Sequence, residues 1–378
     1  MLSTQIIHPA ELSPEDEARW RRFASRHEAF GSPLLGPDFA RAVGAVRGDA
    51  RVAIWRRDGQ AVGFLAHHRR PGAAARPIGA PLSDYHGLVG DGSLRPSEAL
   101  AAAGLPAFRF SGLVDPQGLF QRHVTAGQEA FVIRLDSSAE DYLEALRADS
   151  PKRFKNYRRL EHKIEREVGP LSLTAPDGDA AAFDQLLAWK REQLVRTGAH
   201  DFLSPAWTQA LLRNLFEARE GDFQGLMITL RVGGRLIAGQ FGVRLGAVFH
   251  PWIASTDPEM AAWSPGQLFF LRAIAAMPGL KLTTYDLGPG HAHYKAPFAL
   301  SRREIAEGTA SAAGFAGLGA RMGDGAWKLA AAGGGPIVGR VRRRFETISA
   351  LEQTLQGRVR GMAAAVAAKA RSGAQREG

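Results

Sequence analysis

The sequence predicts an α/β fold with a mixed sheet, because hairpin strands and a helical crossover follow one another in its second half. Residues 226–232, 235–245 and 247–254 are rich in β-formers and are separated by glycine turns, which predicts an antiparallel meander. An apolar helix is predicted from Ser264 to about Met277, and a short strand follows at 282–287. Since a helical crossover generally returns to a parallel strand, the last two strands are expected to be parallel.

The first half of the chain shows a similar alternation of helix and strand signals. A helix is predicted within residues 11–30, where Pro14 precedes three acidic residues. Residues 51–57 and 60–67 flank Asp58-Gly59, a pair that tolerates the positive φ angles of a tight hairpin turn. Further strands are expected at 105–114 and 130–135.

A polar loop, Ser83-Asp84-Tyr85-His86-Gly87, leads into apolar Leu88-Val89. Its Asp, Tyr and His side chains are of the kind that line a cleft, and loops beside strands often carry such residues. The alternative is a simple turn in which Asp84 bonds its own backbone.

Ser150-Pro151 begins the clearest helix of the chain, which Gly169-Pro170 ends. An apolar stripe at three- and four-residue spacing faces the core. The rest of its surface is basic, with Lys152, Arg153, Lys155, Arg158, Arg159, Lys163 and Arg166. These cations either form a solvated helix face or contact a phosphorylated substrate. Two more helices are predicted at about 179–197 and 205–218.

The predicted organisation has three parts: a domain over residues 1–140, a second domain over 141–305, and a helical extension over 306–378. Residues 306–336 are rich in glycine and alanine, and a basic helix is expected from Ile337. This helix either packs on the body of the protein or provides a dimer contact. A third possibility is that residues 337–371 contact an anionic membrane surface.

Composition limits the class of protein. The 378 residues include no cysteine, which excludes disulfides, thiolate catalysis and cysteine zinc sites. No apolar run is long enough to cross a bilayer, and the N-terminal residues lack the pattern of a signal peptide. A cytoplasmic protein, at most peripheral to the inner membrane, is expected. The net charge of +10 favours anionic partners, although an arginine-rich composition accounts for part of it.

The predicted apolar helix begins at a turn of small residues, Ser264, Pro265, Gly266 and Gln267. A helix N-terminus offers unpaired N–H groups and the positive end of the helix dipole. These four residues are therefore predicted to bind a phosphate group.

The motifs SPGQLFFLRAI (264–274), YDLG (285–288) and HYKAPFA (293–299) occur in this order. Upstream lie PLSDYHGLV (81–89), SPKRFKNYRRL (150–160) and LIAGQFGVRLGAVFHPW (236–252). Together they resemble the cellulose-biosynthesis-associated (CelD/BcsL-type) branch of the GNAT acyltransferases, over about residues 15 to 305. The resemblance implies tandem GNAT-like domains. It also implies transfer of an acyl group, such as acetyl, from acyl-CoA to an amine of an amino sugar or lipid-linked glycan in exopolysaccharide or envelope synthesis.

The resemblance further implies that the strands at 247–254 and 282–287 diverge and admit the pantetheine arm of the donor. Catalytic candidates follow the second strand: Asp286, His291, Tyr294 and Lys295. Tyr294 resembles the tyrosine that protonates a departing thiolate. Asp286 orients the amine, acts as a base, or only bonds the Gly288-Pro289-Gly290 turn. Lys295 holds a phosphate or carboxylate, or pairs with Asp286.

The candidates for binding the acceptor are Asp84, Tyr85, His86, Gln240, His250 and Trp252. His291 and His293 have side chains suited to proton transfer near neutral pH. No third strong ligand accompanies them, so no metal site is predicted. A nucleophile elbow, a Walker loop and a dinucleotide fingerprint are also missing from the sequence.

Two other functions remain open from the sequence. A Fem-type transferase that uses aminoacyl-tRNA makes better use of the basic helix at 151–168. A GNAT-like protein without activity, which holds a polysaccharide synthase at the membrane, makes better use of the basic C-terminal segment.

Overall fold

The computed structural model describes residues 2–69, 74–290, 292–322, 325, 344–352, 354 and 356–363. Contacts group the chain into two units. Unit 1 comprises residues 1–128, 197–211 and 304–378, and unit 2 comprises residues 129–196 and 212–303. The predicted boundaries near 140 and 305 differ from this grouping, because residues 197–211 and the C-terminal residues belong with the first unit. The assignment of a separate acyltransferase domain to each half stays a prediction.

Unit 1 contains an antiparallel sheet built around the predicted hairpin. Its strands are β1 (Leu2–Ile7), β2 (Ala50–Arg57), β3 (Gln60–His68), β4 (Arg76–Pro77) and β5 (Val89–Gly90), and both β4 and β5 pair with β3. Asp58 and Gly59 join β2 to β3 with positive φ angles of 51° and 78°, which is why this dipeptide suits the turn. The hairpin is thus confirmed.

Three helices of unit 1 cover this sheet and its neighbours: α1 (Pro14–Ala24), α2 (Pro37–Gly44) and α3 (Pro96–Ala102). Ser13 caps α1 by accepting the Asp16 N–H at 3.1 Å. The helix predicted within 11–30 is therefore real but ends at Ala24. Trp20 of α1 stacks on Phe64 of β3 at 5.1 Å, so the buried face of α1 is fixed on the sheet.

The C-terminal part of unit 1 adds a strand and a helix to it. Strand β6 (Ala107–Leu113) pairs with β13 (Ser301–Ser311) from Leu113 opposite Ala306 to Ala107 opposite Ser311. The helical residues 344–351 pack into the core of unit 1, with Ile348 fully buried. Glu346 pairs with Arg76 and Arg109, and Arg47 donates to the carbonyl of Ala350 at 3.0 Å.

The C-terminal segment that was predicted to contact a membrane lies partly outside the described residues. Positions 337–343 lie there, as do 353, 355 and 364–371. The portion at 344–351 is occupied by contacts within unit 1, which favours packing as its role. Among the helices that the structure describes, none combines the length and the apolar character needed to cross a membrane.

Unit 2 is organised on a mixed sheet with the order β7-β12-β11-β10-β9-β8. These strands are β7 (Val124–Arg134), β8 (Leu171–Thr174), β9 (Phe223–Val232), β10 (Arg235–Leu245), β11 (Val248–Thr256) and β12 (Thr284–Pro289). Strands β9, β10 and β11 form the predicted antiparallel meander, and β11 is parallel to β12 as expected.

Helices cover both faces of this sheet. The core on one face takes buried residues from α4 (Ala139–Asp149), α5 (Pro151–Glu167) and α8 (Pro265–Ala276). On the other face, Phe183 of α6 (Ala180–Arg196) and Phe216 of α7 (Ala206–Glu217) pack on Phe241 of β10. A short helix, α9 (Ala292–Lys295), follows β12. We call these the α8 face and the α6 face.

Candidate functional site

The sheet of unit 2 opens between β11 and β12. The two strands are paired at only two positions, Val248 opposite Thr284 and Phe249 opposite Tyr285. Beyond these pairs β11 continues along β10 to Thr256, while β12 continues along β7 to Pro289. The predicted divergence of these strands is confirmed, since beyond Phe249 and Tyr285 they no longer pair with each other.

Local sequence explains why pairing stops there. Pro251 follows the last paired residues of β11 and has no N–H to donate. Trp252 forms a bulge, since Pro251 and Ile253 pair with the adjacent residues Gly242 and Phe241 of β10. A side chain at Gly242 would collide with the backbone, because a Cβ there would lie 2.1 Å from the His250 carbonyl oxygen.

A buried polar cluster lies on the α8 face of the opening. The Tyr285 hydroxyl donates to Gln240 Oε1, and both residues are almost fully buried. Gln240 therefore lies in the interior, where its amide satisfies a buried hydroxyl. Burial raises the pKa of Tyr285 well above its ordinary value, and the nearby Tyr294 adds to that rise.

Tyr294 joins this cluster from α9. Its ring packs against Phe270 at 5.1 Å, and its hydroxyl faces the interior although the residue as a whole is half-buried. Burial raises the pKa of Tyr294, and a hydrogen bond with Gln240 opposes part of the rise. Tyr294 therefore stays protonated at neutral pH and is able to donate a proton.

The start of α8 is partly covered by neighbouring residues. Pro265 and Gly266 are buried, while Ser264 and Gln267 are half-buried. Tyr294 covers Gly266, since a Cβ on that glycine would lie 3.2 Å from the Tyr294 hydroxyl. The Gln267 N–H donates to the Ser264 carbonyl at 2.9 Å. The Gln267 amide is thus already used within the turn, and phosphate binding by Ser264, Pro265, Gly266 and Gln267 stays a prediction.

A cavity of about 240 Å³ lies beside this turn. It is lined by residues of α5, α8 and α9 and of the turn that follows α9, namely Arg153, Asn156, Tyr157, Gln267, His293, Tyr294, Pro297 and Phe298. The cavity thus connects the start of α8 with the basic helix α5.

The charges of α5 are distributed unevenly. Its first half carries five exposed cations and no acid, namely Lys152, Arg153, Lys155, Arg158 and Arg159. All three of its glutamates lie in the second half, where Glu161 and Glu165 face Arg272, and Glu167 contacts Arg166. Basic residues in the first turn repel the positive end of the helix dipole, so stability does not explain them.

On the α6 face the opening contains a buried ionic cluster. His250 and Asp286 are fully buried, and Asp286 Oδ1 lies 3.7 Å from His250 Nδ1. Arg303 Nη2 lies 3.3 Å from Asp286 Oδ2, and the Gly288 N–H donates to Asp286 Oδ1 at 3.1 Å. Asp286 therefore supports its turn, as one alternative held, and also faces a histidine beside the opening.

Of the remaining candidates in the turn after β12, the structure places Lys295 and His293. Lys295 Nζ donates to the carbonyls of Gly288 at 3.3 Å and Pro289 at 2.8 Å. His293 is exposed and lines the cavity. His291 lies outside the described residues. In the described part of the chain, no set of three or more His, Cys, Asp or Glu side chains is grouped as metal ligands would be.

The candidates Asp84, Tyr85 and His86 belong to unit 1. Tyr85 is fully buried, and His86 Nε2 accepts the N–H groups of Ser111 at 3.1 Å and Gly112 at 3.0 Å. Burial lowers the pKa of His86 to about 3, so the ring is a neutral acceptor. This geometry favours a structural role for the loop, while its contact with substrate stays a prediction.

Two parts of the site were missed by sequence reasoning. Arg303 was missed because its partner Asp286 lies seventeen residues earlier. The sequence of the segment between them does not show that it brings the two side chains together. The cavity was missed because Asn156 and Tyr157 lie on a helix that is remote in sequence from α8. The uneven charge of α5 can be read from the sequence and is the signal that could have pointed to this cavity.

Comparison with known proteins identifies the domain that carries this geometry. The family described as "Acetyltransferase (GNAT) domain" matches residues 151–296. No curated protein matches the chain in sequence.

The chain is also similar to several solved structures. FemX is similar with a TM-score of 0.52 and 12% identity, covering 81% of this chain and 96% of FemX. The C-terminal domain of a putative lysylphosphatidylglycerol synthetase from Agrobacterium fabrum gives a TM-score of 0.46 and 13% identity, covering 82% of this chain and 95% of that domain. A tandem GNAT protein from the clavulanic acid pathway gives 0.45 and 13%, covering 83% and 99%.

The similarity to FemX covers more residues than unit 2 contains, so it extends into unit 1. It concerns the fold alone. The predicted α/β fold of GNAT type is confirmed, whereas nothing in these matches singles out the CelD/BcsL-type branch. Residues 151–296, which include the opening between β11 and β12, are the part of the chain that matches the GNAT acetyltransferase domain.

Proposed function

We propose that this chain transfers an acyl group from an acyl-CoA, with acetyl-CoA as the reference donor, to a primary amine. The observation that carries the proposal is the opening between β11 and β12, with Tyr294 on its α8 face. An extended thioester arm would enter between the two diverging strands and bind to their backbone as a further strand does. The same strands hold the acyl group at a fixed position, which supplies the proximity that transfer requires.

In the proposed reaction the neutral amine attacks the thioester carbonyl, forming a C–N bond while the C–S bond breaks. A backbone N–H of β11 beyond Phe249 stabilises the oxygen as it becomes negative. The protonated hydroxyl of Tyr294 is the candidate to give its proton to the departing thiolate. His250 and Asp286 are the candidates to receive the excess proton of the amine, either directly or through water.

The donor phosphates are assigned to the cavity between α5 and the start of α8. Arg153 and Gln267 line it, and four further cations of α5 lie close to Arg153 along the helix. These side chains supply the positive charge that the partly used amides of Ser264, Gly266 and Gln267 lack. No metal ion takes part in this proposal.

The acceptor is proposed to be an amino sugar or a lipid-linked glycan of exopolysaccharide or envelope synthesis. The support is the resemblance of motifs such as SPGQLFFLRAI and HYKAPFA to the CelD/BcsL-type branch. Trp252 and His250 beside the opening, and the loop of Asp84, Tyr85 and His86, remain the proposed acceptor contacts. A cytoplasmic location, a peripheral membrane contact through residues 337–371 and a homodimer are proposals of the same kind.

Calorimetry with acetyl-CoA tests the donor directly. We expect a one-to-one complex with a micromolar dissociation constant, and a raised melting temperature because the ligand binds only the folded state. Transfer to glucosamine is then followed by release of free thiol, which a disulfide reagent reports without background since the protein has no cysteine. A folded protein that binds neither acetyl-CoA nor CoA contradicts the proposal.

The uneven charge of α5 favours a second candidate, a donor carried on RNA. Lys152, Lys155 and Arg159 recur at three- and four-residue spacing and so form a stripe on the exposed side of the helix. Such a stripe suits a phosphodiester backbone. Binding of aminoacyl-tRNA with a steep dependence on salt, together with no binding of acetyl-CoA, would favour this candidate.

A further inference from the structure

Helix α5 carries a row of cations along its exposed side. Lys152, Lys155 and Arg159 share this side over about 10 Å of the helix, and we call them the α5 stripe. The ion pairs of α5 that the structure describes all lie in its second half, on residues 161–167. Arg159 donates to the neutral amide oxygen of Asn156 at 2.9 Å. Within the described part of the chain, the stripe therefore has no carboxylate partner.

The cavity beside α8 borders the α5 stripe. Arg153 and Asn156, which alternate with the stripe residues in the sequence, both line it. Among the described residues of its lining, Arg153 alone carries a permanent positive charge, while Asn156 and Gln267 add neutral donors. Its volume of about 240 Å³ lies below the range of about 300–1,000 Å³ that is typical of pockets for drug-sized ligands. The cavity therefore suits one phosphate group better than a whole nucleotide.

Tyr294 and Gly266 connect this cavity with the opening in the sheet. Tyr294 lines the cavity, and its hydroxyl lies 3.2 Å from the position of a Cβ on Gly266. Thr256, the last residue of β11, lies 3.4 Å from the same position. The end of β11, where it no longer pairs with β12, thus adjoins the cavity. An extended arm with its phosphate in the cavity is able to continue between the two strands.

Phosphopantetheine on a carrier protein has the chemistry that this arrangement fits. The arm is joined to a serine of the carrier through a phosphodiester, whose single negative charge matches the single Arg153 of the cavity. CoA adds a second phosphate, an adenosine and a 3′-phosphate, and the described lining of the cavity offers no second permanent cation for them. Proteins that carry this arm are rich in Asp and Glu, so their surface complements the α5 stripe outside the cavity.

The α5 stripe fits an acidic protein better than RNA. Phe154 and Tyr157 of the same helix are buried, so the stripe presents neither ring for a base to stack on. The length of the stripe, about 10 Å, corresponds to two turns of a partner helix. The contact is therefore of the size that one acidic helix provides.

We infer that the α5 stripe docks an acidic carrier protein, whose phosphopantetheine arm delivers the acyl group through the cavity to the opening between β11 and β12. The inference rests on the proposed function and names the donor class of the same site. In the transfer, the amine forms a C–N bond with the thioester carbonyl carbon and loses one proton, while the C–S bond breaks. The sulfur leaves as a thiolate and gains one proton, so the carrier ends with a free thiol.

Docking is tested by calorimetry with the full chain and an acetylated bacterial acyl-carrier protein. We expect micromolar binding at low salt, weakened by added salt because exposed charges are screened. Lys155→Glu should weaken it by about tenfold. This variant should fold, because the helix dipole favours an acid near a helix start. The matched control is Lys281→Glu, which makes the same charge change at an exposed site before β12 and should bind the carrier as the wild type does.

Two results of the calorimetry overturn the inference. One is a carrier that does not bind, or that binds equally well to the wild type and to Lys155→Glu. The other is an unacylated tRNA that binds more tightly than the carrier at the same salt and loses affinity in Lys155→Glu, because the stripe then serves RNA.

Delivery of the acyl group is tested by kinetics with glucosamine and three donors: the acetylated carrier, acetyl-phosphopantetheine and acetyl-CoA. We expect kcat/KM for the carrier to exceed that for acetyl-phosphopantetheine by about tenfold or more, through a lower KM. Lys155→Glu should remove most of this advantage and raise KM for the carrier more than KM for acetyl-CoA. Equal kcat/KM for the carrier and for the free arm overturns the inference.

Failure of the inference is distinguishable from failure of the proposed function. A protein that binds acetyl-CoA but not the carrier retains the proposed function and loses the inference. A protein that binds neither acetyl-CoA nor CoA loses the proposed function, and titration with the carrier then decides on the docking surface alone.

Discussion

Tyr294 packs directly on Gly266 at the start of α8. The missing side chain at Gly266 lets the Tyr294 ring rest on the helix, where its hydroxyl reaches Gln240. Thr256, the last residue of β11, lies on the other side of the same position, with Cγ2 3.4 Å from a Cβ built on Gly266. A single added methyl group therefore disturbs both the proposed proton donor and the strand edge.

We expect Gly266→Ala to lower the rate of transfer by about tenfold, because the new Cβ at 3.2 Å displaces the Tyr294 hydroxyl by a few tenths of an ångström. The matched control is Gly279→Ala, where the nearest atom lies 3.5 Å away and no strain arises. Steady-state kinetics of both variants with acetyl-CoA provides the measurement. Equal activity of the two variants would show that the position of Tyr294 is unimportant.

Tyr294→Phe removes only the hydroxyl. We expect kcat to fall by about a hundredfold, as is typical when a general acid is lost, with the affinity for acetyl-CoA changed less than about twofold. The pKa of Tyr294 is raised, so its hydroxyl stays protonated up to about pH 10. Loss of this proton should therefore not lower the kcat of the wild-type enzyme below that pH. An unchanged kcat in Tyr294→Phe would leave protonation of the thiolate to water.

At the scale of elements, the first turn of α5 differs in charge and capping from the first turns of α1 and α4. Helices α1 and α4 begin with acidic residues and a serine cap, as the helix dipole favours. Helix α5 begins with Lys152 and Arg153 and has no side-chain cap. Its first turn is therefore arranged against its own stability, which suits a helix that binds an anion.

This arrangement predicts opposite changes in stability and binding. Arg153→Ala should stabilise unit 2 slightly, by about 0.3–1 kcal/mol, because a cation leaves the positive end of the dipole. The same change should weaken acetyl-CoA binding by about tenfold at low salt, and less at high salt as charges are screened. Thermal unfolding and calorimetry at two salt concentrations measure both effects.

The control for Arg153→Ala is Arg166→Ala on the same helix, where the arginine contacts Glu167 at 3.1 Å and lies away from the cavity. We expect donor affinity to stay the same in Arg166→Ala. If Arg153→Ala also retains full affinity at low salt, the cavity beside α5 is not the phosphate site.

At the scale of the whole chain, local patterns predicted the elements whose partners are close in sequence. The meander β9-β10-β11 and the return to β12 followed from turns and periodicity alone. Strand β13 was missed because its residues 301–311 fall at the edge of a glycine- and alanine-rich segment, and its partner β6 lies about two hundred residues earlier. Pairing at that separation leaves no mark in a local window.

The same limit applies to the site. Asp286 was predicted from its place at the end of a strand, and Tyr294 from the resemblance to the GNAT acyltransferases. Their roles depend on Gln240 and Arg303, which arrive from other strands. The loop of His86 was predicted either to line a cleft or to form a simple turn, and its sequence did not show that His86 accepts two backbone N–H groups in the interior of unit 1. Burial of that kind is a property of the folded chain.

The buried histidines of unit 1 predict that the protein loses stability in mild acid. Burial lowers the pKa of His67 to about 4 and that of His86 to about 3, and it also lowers the pKa of His123 and His200. An unfolded chain protonates these rings near pH 6.5, whereas the folded chain keeps them neutral. The free energy of unfolding that these histidines contribute is therefore constant above about pH 6.5 and falls as the pH drops below it.

At pH 5 the loss should be on the order of 2 kcal/mol for each of His67 and His86 relative to pH 7.5. Denaturant unfolding at the two pH values measures it. In His86→Gln the side-chain oxygen still accepts the N–H groups of Ser111 and Gly112 but does not titrate, so the drop should be smaller. His162→Gln, which changes an exposed histidine on α5, should reproduce the wild-type drop. Identical drops in all three proteins would mean that acid acts through other groups.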